Sequence, residues 1–277
     1  MSTEVKKSGN RKPCAGRIYS QLRVCLLSVK YNIMREMLNK VTFVSNIFFM
    51  ILNNATFLIQ WTVLFRIRGS IGGYTMKEVM LLWAVCASSY GLSNVLFARV
   101  FALPELIING KLDAYLVQPK NVLLGVMTSA TTASAIGDFA YGLIIVCFCG
   151  FGIGRILLFL LLIANGALII TAFALLLGSL SFWFVKTEMF GEHMLNAAIN
   201  FGLYPDGIFK GAVKFLLYYV IPTGMMIYKP VRIMTEPDLG GLAVVAGYAF
   251  LLLAVAVTVF YRGLKRYSSG NLMSARV

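Results

Sequence analysis

The stretch ILLFLLLIANGALIITAFALLLGSLSFWFV, Ile156–Val185, runs for 30 residues without a charge. About 20 mostly apolar residues suffice to cross a bilayer as a helix, so this stretch reads as a membrane span, the clearest in the chain. Working outward, the same pattern recurs. Residues 41–65 are uncharged and carry Asn46, Asn53, Asn54 and Gln60, polar groups that belong against protein rather than lipid. Residues 79–98 are uncharged, with small residues at Ala87, Ser88, Ser89 and Gly91 that suit close helix packing. Residues 121–154 contain a single charge, Asp138, and are punctuated by Gly125, Gly137 and Gly142, which predicts one long or kinked span. Residues 239–261 form another uncharged run. With 59% hydrophobic and 13% charged residues, the whole chain lies far from the average soluble domain, in which about a quarter of residues are charged.

The reading is an all-α integral membrane protein with six transmembrane helices, at about 41–65, 79–98, 122–150, 156–185, 189–206 and 239–261. Residues 1–16 are a basic, disordered tail and 17–277 the membrane domain. The region from Met189 to Arg232 is the least regular, because its apolar runs stop at Tyr204-Pro205-Asp206 and resume from Phe215 to Tyr228. A fifth span followed by short outer re-entrant helices accounts for it; a seventh span is the alternative and would reverse the C-terminal side. Ahead of the first span, Ile18, Leu22, Cys25, Leu26, Val29 and Ile33 recur at helical spacing, with Arg17, Gln21, Ser28, Arg35 and Glu36 mostly on other faces. That is an amphipathic helix suited to the inner membrane surface. The polar, basic start of the chain gives no cleavable signal peptide.

The formal charge of +14 is spread along the chain. Nine of the 25 Lys and Arg lie before residue 41 and the rest flank other apolar runs, which is how topology signals are placed. No contiguous phosphate-binding face follows, and nucleic acid is excluded as a partner. With six spans and the N-terminus inside, inner segments hold 17 cations and outer segments eight. Both termini are then cytoplasmic. The five cysteines match no metal spacing and read as buried thiols. No GxxxxGK[ST], HExxH, GxSxG or CxxC is present, so no ATP-binding loop, metal site or catalytic centre is expected on this chain. Glu192 and His193, the single histidine, are adjacent and on a helix would point about 100° apart, a polar pair at a helix start rather than a cluster. Asp138 is the one charge well inside an expected span. On a helix beginning at Asn121 it would lie roughly 25 Å along, near the outer boundary.

One polar gap stands out. Leu103–Asn121, LPELIINGKLDAYLVQPKN, separates two membrane-length runs and falls on the cytoplasmic side in the six-span reading. Pro104 suits the first turn of a short helix and Gly110 its stop, and Lys111–Leu116 forms a second short amphipathic piece ended by Pro119. It reads equally as a plain connector or as a contact for a soluble partner.

The sequence GKLDAYLVQPKNVL at Gly110–Leu123 resembles a signature of ABC transporter type-2 permeases. SLSFWFVK at Ser179–Lys186, YPDGIFKG at Tyr204–Gly211, IPTGMMIYKP at Ile221–Pro230 and RGLKRYSS at Arg262–Ser269 are similar in order, and the likeness covers most of the chain from Arg17. It departs at Ser269-Gly270-Asn271. The resemblance implies a six-span permease subunit of the cell (plasma) membrane, an exporter half, working with a second permease subunit, identical or sibling. It implies two separate ATP-binding cassette ATPase subunits that bind ATP and Mg in place of any cofactor on this chain. It also implies a coupling helix within Glu105–Gln118, where Glu105, Lys111, Asp113, Tyr115 and Gln118 would meet the ATPase. Polarity alone suggests Asn46, Asn53, Asn54 and Asp138 for the translocation path. The alternative is a proton-coupled secondary transporter using Asp138, although no internal repeat supports it.

Overall fold

The computed structural model describes residues 14–184 and 187–268. The basic tail as far as residue 13, Lys186 and the Ser269-Gly270-Asn271 departure lie outside these. Residues 14–16, expected in the tail, already belong to a helix, α1 (Cys14–Glu36). No strand forms among the described residues. Helices α2 (Lys40–Ile67), α3 (Met76–Phe97), α8 (Ile153–Ser179) and α12 (Leu239–Leu264) carry the long apolar runs. Among the described residues, four helices are long and apolar enough to cross a membrane, or five if the pair Gly211–Tyr219 and Gly224–Thr235, bent by 73°, counts as one broken span.

Their ends are set by local chemistry. Asn39 caps α2 by accepting from the Thr42 amide, and Thr75 and Glu78 form a reciprocal capping box at α3. The Asp238 carboxylate accepts from the Gly240 and Gly241 amides at 2.9 and 2.7 Å, opening α12 next to Pro237.

The centre of the bundle is α3, flanked by α7 (Ala135–Phe148) and α8, with α12 on the far side of α8. The core residues Leu81, Leu82, Phe159, Leu162 and Ile163 are fully buried there. Small residues bring the backbones together. A Cβ at Gly142 of α7 would meet Ser88 Oγ and Ala84 O of α3, and one at Gly137 would meet Ile47 O of α2. By contrast α2 is an edge helix that buries only Asn54 and Trp61.

The expected span at 122–150 is divided. It comprises α6 (Val122–Met127), an irregular link, and α7, which is only 14 residues long. The link is rich in Ser and Thr, whose side chains compete for backbone partners. Thr128 Oγ1 donates to Leu124 O at 2.8 Å and Ser129 Oγ to Val126 O at 2.9 Å. Thr131 Oγ1 donates to Val95 O at 2.9 Å and the Thr132 amide to Asn94 O at 3.2 Å. Irregular backbone at membrane depth is tolerated only where protein supplies its partners, and α3 supplies them here. Asn32 of α1 also donates to Thr128 O at 3.0 Å. The break removes the continuous helix from Asn121 on which the depth of Asp138 is counted: Asp138 lies in the first turn of α7, with about 15 Å of helix between it and Phe148.

The region after the fourth apolar run folds as α9 (Thr187–Gly202), α10 (Gly211–Tyr219), a π-helical turn at Gly224–Tyr228 and α11 (Lys229–Thr235). Its hub is Asp206, 2% exposed. The Asp206 carboxylate accepts from Tyr74 at 2.9 Å, Tyr218 at 2.7 Å and Arg232 at 3.0 Å, and pairs with Lys214 at 3.4 Å. Burial raises its pKa, but the Tyr218 and Tyr74 hydrogen bonds and the Arg232 and Lys214 charges together hold it below the usual carboxylate value. A carboxyl whose pKa is lower folded than unfolded stabilises above its unfolded pKa, and that stabilisation is lost as pH falls through the folded value. Limited proteolysis of residues 204–235 is therefore expected to accelerate in acid below the usual carboxylate range. Asp206→Asn should cut equally fast at neutral and acid pH.

Candidate functional site

Three separated sequence motifs meet at one end of the bundle. The Leu103–Asn121 segment folds as α4 (Leu103–Ile108) and α5 (Asp113–Leu116), with Pro104 in the first turn of α4 and Gly110 at φ 69° turning the chain between them. Leu103, Leu106, Ile107 and Leu112 are fully buried, forming the apolar back of a compact knob. This back packs into a cluster with Phe182 and Phe260. Phe182 stands edge-on to Phe260 and to Tyr267. Burial and then the Asp113 charge push the Tyr267 hydroxyl up to about 12. Asn121 donates to the Tyr261 hydroxyl at 2.8 Å, and its amide donates to Gln21 of α1 at 3.3 Å. The knob is thus held from behind by α8, by α12 and by α1.

The five residues expected at its surface divide. Glu105 and Lys111 are exposed and paired with each other at 2.5 Å. The Lys111 hydrogen bond and charge hold the Glu105 carboxyl below its usual value. Asp113, Tyr115 and Gln118 each have a partner within the chain. Asp113 faces Tyr267, the Tyr115 hydroxyl lies 2.9 Å from Ser129 Oγ, and Gln118 Nε2 donates to Ala114 O at 2.8 Å. The tip is apolar: Leu116 is 41% and Val117 85% exposed. Neither is among the five expected contacts, although an apolar pair close to Pro119 in a polar segment is a visible signal.

The four polar residues assigned to a path divide as well. Asn46 and Asn53 are exposed on α2. With Thr42 and Gln60 they recur at four- and seven-residue spacing, one uncovered stripe along an otherwise apolar helix. On α9, Glu192, Asn196 and Asn200 form a second exposed stripe at four-residue spacing. Glu192 and Asn196 border a cavity of 230 Å³ whose wall includes Tyr90, Phe101 and Pro104, so this cavity reaches the back of the knob. Asn54 and Asp138 are buried and bonded to each other, Asn54 Nδ2 donating to Asp138 Oδ1 at 2.6 Å and to Met50 O at 3.0 Å. They join α2 to α7. Removing one partner of a buried polar pair leaves the other unsatisfied, at about 1–3 kcal/mol. Asn54→Leu is expected to lower the melting temperature clearly, whereas Asp138→Asn keeps a hydrogen-bonding pair and should change stability by less than about 1 kcal/mol. Thermal unfolding in detergent compares the two.

A helical bundle of several apolar spans, with a knob built from short helices at one end, defines a multi-pass membrane protein. The family described as ABC-2 family transporter protein matches residues 51–270, and the chain belongs to it. No curated protein and no solved structure matches. Members of this family are the membrane transport subunits of ABC transporters, work with ATP-binding cassette ATPase partners, and are not themselves catalytic.

Proposed function

We propose that this chain is one of two permease subunits of an ABC exporter in the cell membrane, with both termini cytoplasmic, and that the α4–α5 knob is the contact for its ATPase. The observation that carries this reading is the knob's construction, a fully buried apolar back and an exposed Leu116–Val117 tip. A cleft on a soluble partner can grip such a tip and move it as one body with α8 and α12, because interiors transmit displacement rather than absorb it. ATP and Mg reside on the two ATPase subunits. Six crossings follow if α6 and α7 together make one span and α9 another. Then α10 to α11 lies at the outer face, and α1 lies along the inner surface, tied to the knob through Gln21.

The exposed polar stripes of α2 and α9 support the subunit pairing. Asn and Gln facing lipid are unfavourable, and a second permease subunit across Asn46, Asn53 and Glu192 would remove them from it. In this arrangement the path runs along the seam, and Asn54 and Asp138 fasten its wall.

Co-purification of the chain with its ATPase tests the reading. Glu105→Arg is expected to weaken the association, since it replaces an exposed carboxylate at the knob without touching its buried back. Retained association and ATP-dependent transport in both Glu105→Arg and tip variants would sink the assignment. The secondary-transporter alternative predicts that Asp138→Asn abolishes transport with no dependence on any ATPase. The present reading expects Asp138→Asn to retain ATP-driven transport.

A further inference from the structure

The end of the bundle opposite the knob carries a surplus of positive charge. Segments 66–78, 149–155 and 204–238 hold eight Lys and Arg against four Asp and Glu. Two of these cations, Lys214 and Arg232, converge on Asp206, and the chemistry there is uneven. Tyr218, Arg232 and Lys214 all approach the same oxygen, Oδ2, at 2.7, 3.0 and 3.4 Å, while Tyr74 takes Oδ1 at 2.9 Å. A carboxylate oxygen offers about two lone-pair sites. The two shorter contacts on Oδ2 fill them, so Lys214, the longest, adds charge without being needed to satisfy the carboxylate. Two cations on one carboxylate leave a net positive charge. Both are open, with side-chain exposures of 44% for Lys214 and 63% for Arg232.

These cations line a cavity of 400 Å³ between α10 and α11, together with Gly211, Phe215, Tyr218 and Tyr219. The rings of Phe215 and Tyr219 are 4.7 Å apart and exposed by 59% and 73%. Val213 and Leu216 on the same short helix, and Val220 just after it, are exposed. Aromatic rings mixed with apolar side chains at the end of a membrane bundle mark the headgroup level of a bilayer. A cationic pair beside such rings matches an anion whose remainder is apolar. Guanidinium and ammonium donors together suit phosphate oxygens.

We propose that the cavity between α10 and α11 binds a phosphate group through Lys214 and Arg232, with the attached moiety lying over Phe215 and Tyr219. The group comes either from an anionic phospholipid of the surrounding leaflet or from a soluble phosphate compound. The site is independent of the ATPase contact.

Purified full-length protein is equilibrated with mixed micelles of phosphatidylglycerol and phosphatidylcholine, and retained lipid is counted by native mass spectrometry. In a second arm, inorganic phosphate is titrated and the melting temperature followed. If a lipid is the source, wild type retains phosphatidylglycerol in preference to phosphatidylcholine. Lys214→Gln then loses about fivefold in that preference, the worth of one basic side chain at an anionic surface. Lys210→Gln, an exposed lysine outside the cavity, should match wild type. If a soluble phosphate is the source, inorganic phosphate raises the melting temperature of wild type but not of Lys214→Gln, and no lipid preference appears. Arg232→Gln should act as Lys214→Gln does in whichever arm responds, while Tyr74 and Tyr218 still satisfy Asp206. The proposal is overturned if neither arm responds, if Lys214→Gln matches wild type in both, or if Lys210→Gln has an equal effect.

Discussion

The double variant Leu116→Asp, Val117→Asp is expected to abolish co-purification of the ATPase and ATP-driven transport, with the chain's own melting temperature nearly unchanged. Both side chains are exposed at the tip, so in the free subunit the new carboxylates meet water. In a docked complex they would be buried in a cleft, unpaired, and burying such a charge is far costlier than losing an apolar contact. Even truncation of an interface hot spot weakens binding by 2 kcal/mol or more, about thirtyfold. Two charges at the centre of a small interface should exceed that. Leu112→Ala provides the contrast. Leu112 is fully buried behind the tip, and removing its methyl groups costs about 2–5 kcal/mol of stability. That variant should lose coupling together with a clear fall in melting temperature. Full association by the doubly charged tip would remove the knob as the docking element.

The apolar runs made the helical class legible, because a run of uncharged residues of membrane length has few other uses. Pro104, Gly110 and Pro119 likewise marked the punctuation of the α4–α5 segment. What remained illegible depended on partners far away in the chain. Nothing in the composition of residues 128–134 separates them from a continuing helix on which Asp138 would be counted from Asn121. They break it because Val95 O and Asn94 O, more than 30 residues earlier, accept bonds from Thr131 and the Thr132 amide. Asn54 and Asp138 both stand out as polar groups within apolar runs, but nothing in the pattern pairs residues 84 positions apart. Asp113 drew attention as a charge available to a partner, whereas Tyr267 at the other end of the chain faces it. In the sequence Asp206 stands out only where the apolar run stops and as part of the YPDGIFKG motif. Its four partners come from the α2–α3 loop, α10 and α11, and no local spacing announces such a hub. The Leu116–Val117 tip was missed for a different reason: exposed apolar side chains look like core until the fold shows which way they point.

Gly142→Val is expected to damage the fold more than any other single replacement on α7. Gly142 lies at a close approach of α7 to α3, and an added Cβ would stand 1.9 Å from Ser88 Oγ and 2.7 Å from the Ala84 carbonyl oxygen. The Ser88 hydroxyl can rotate, but the carbonyl belongs to a helix backbone and can move only if the helices separate. Ser88 is fully buried and its hydroxyl donates to Phe139 O at 3.2 Å, so rotation also forfeits a hydrogen bond. Overpacking a filled core costs about 1–3 kcal/mol, and more when backbone must shift. Membrane helices have no hydrophobic drive to repack them, only close contact, so the loss falls directly on association of α7 with α3. Asp138 sits one turn away on the same helix, and displacement of α7 would loosen its bond to Asn54. The expected outcome is poor membrane accumulation, or a fall in melting temperature of several degrees. Adding Ser88→Gly to Gly142→Ala should restore part of the loss in a double-mutant cycle, because it removes the hydroxyl clash but not the one with Ala84 O. Gly247→Ala on α12 is the matched control. No atom lies within 4 Å of a Cβ built there, so that change should be neutral or slightly stabilising. Equal melting temperatures for Gly142→Val and Gly247→Ala would show that α3 and α7 are not held at the separation described.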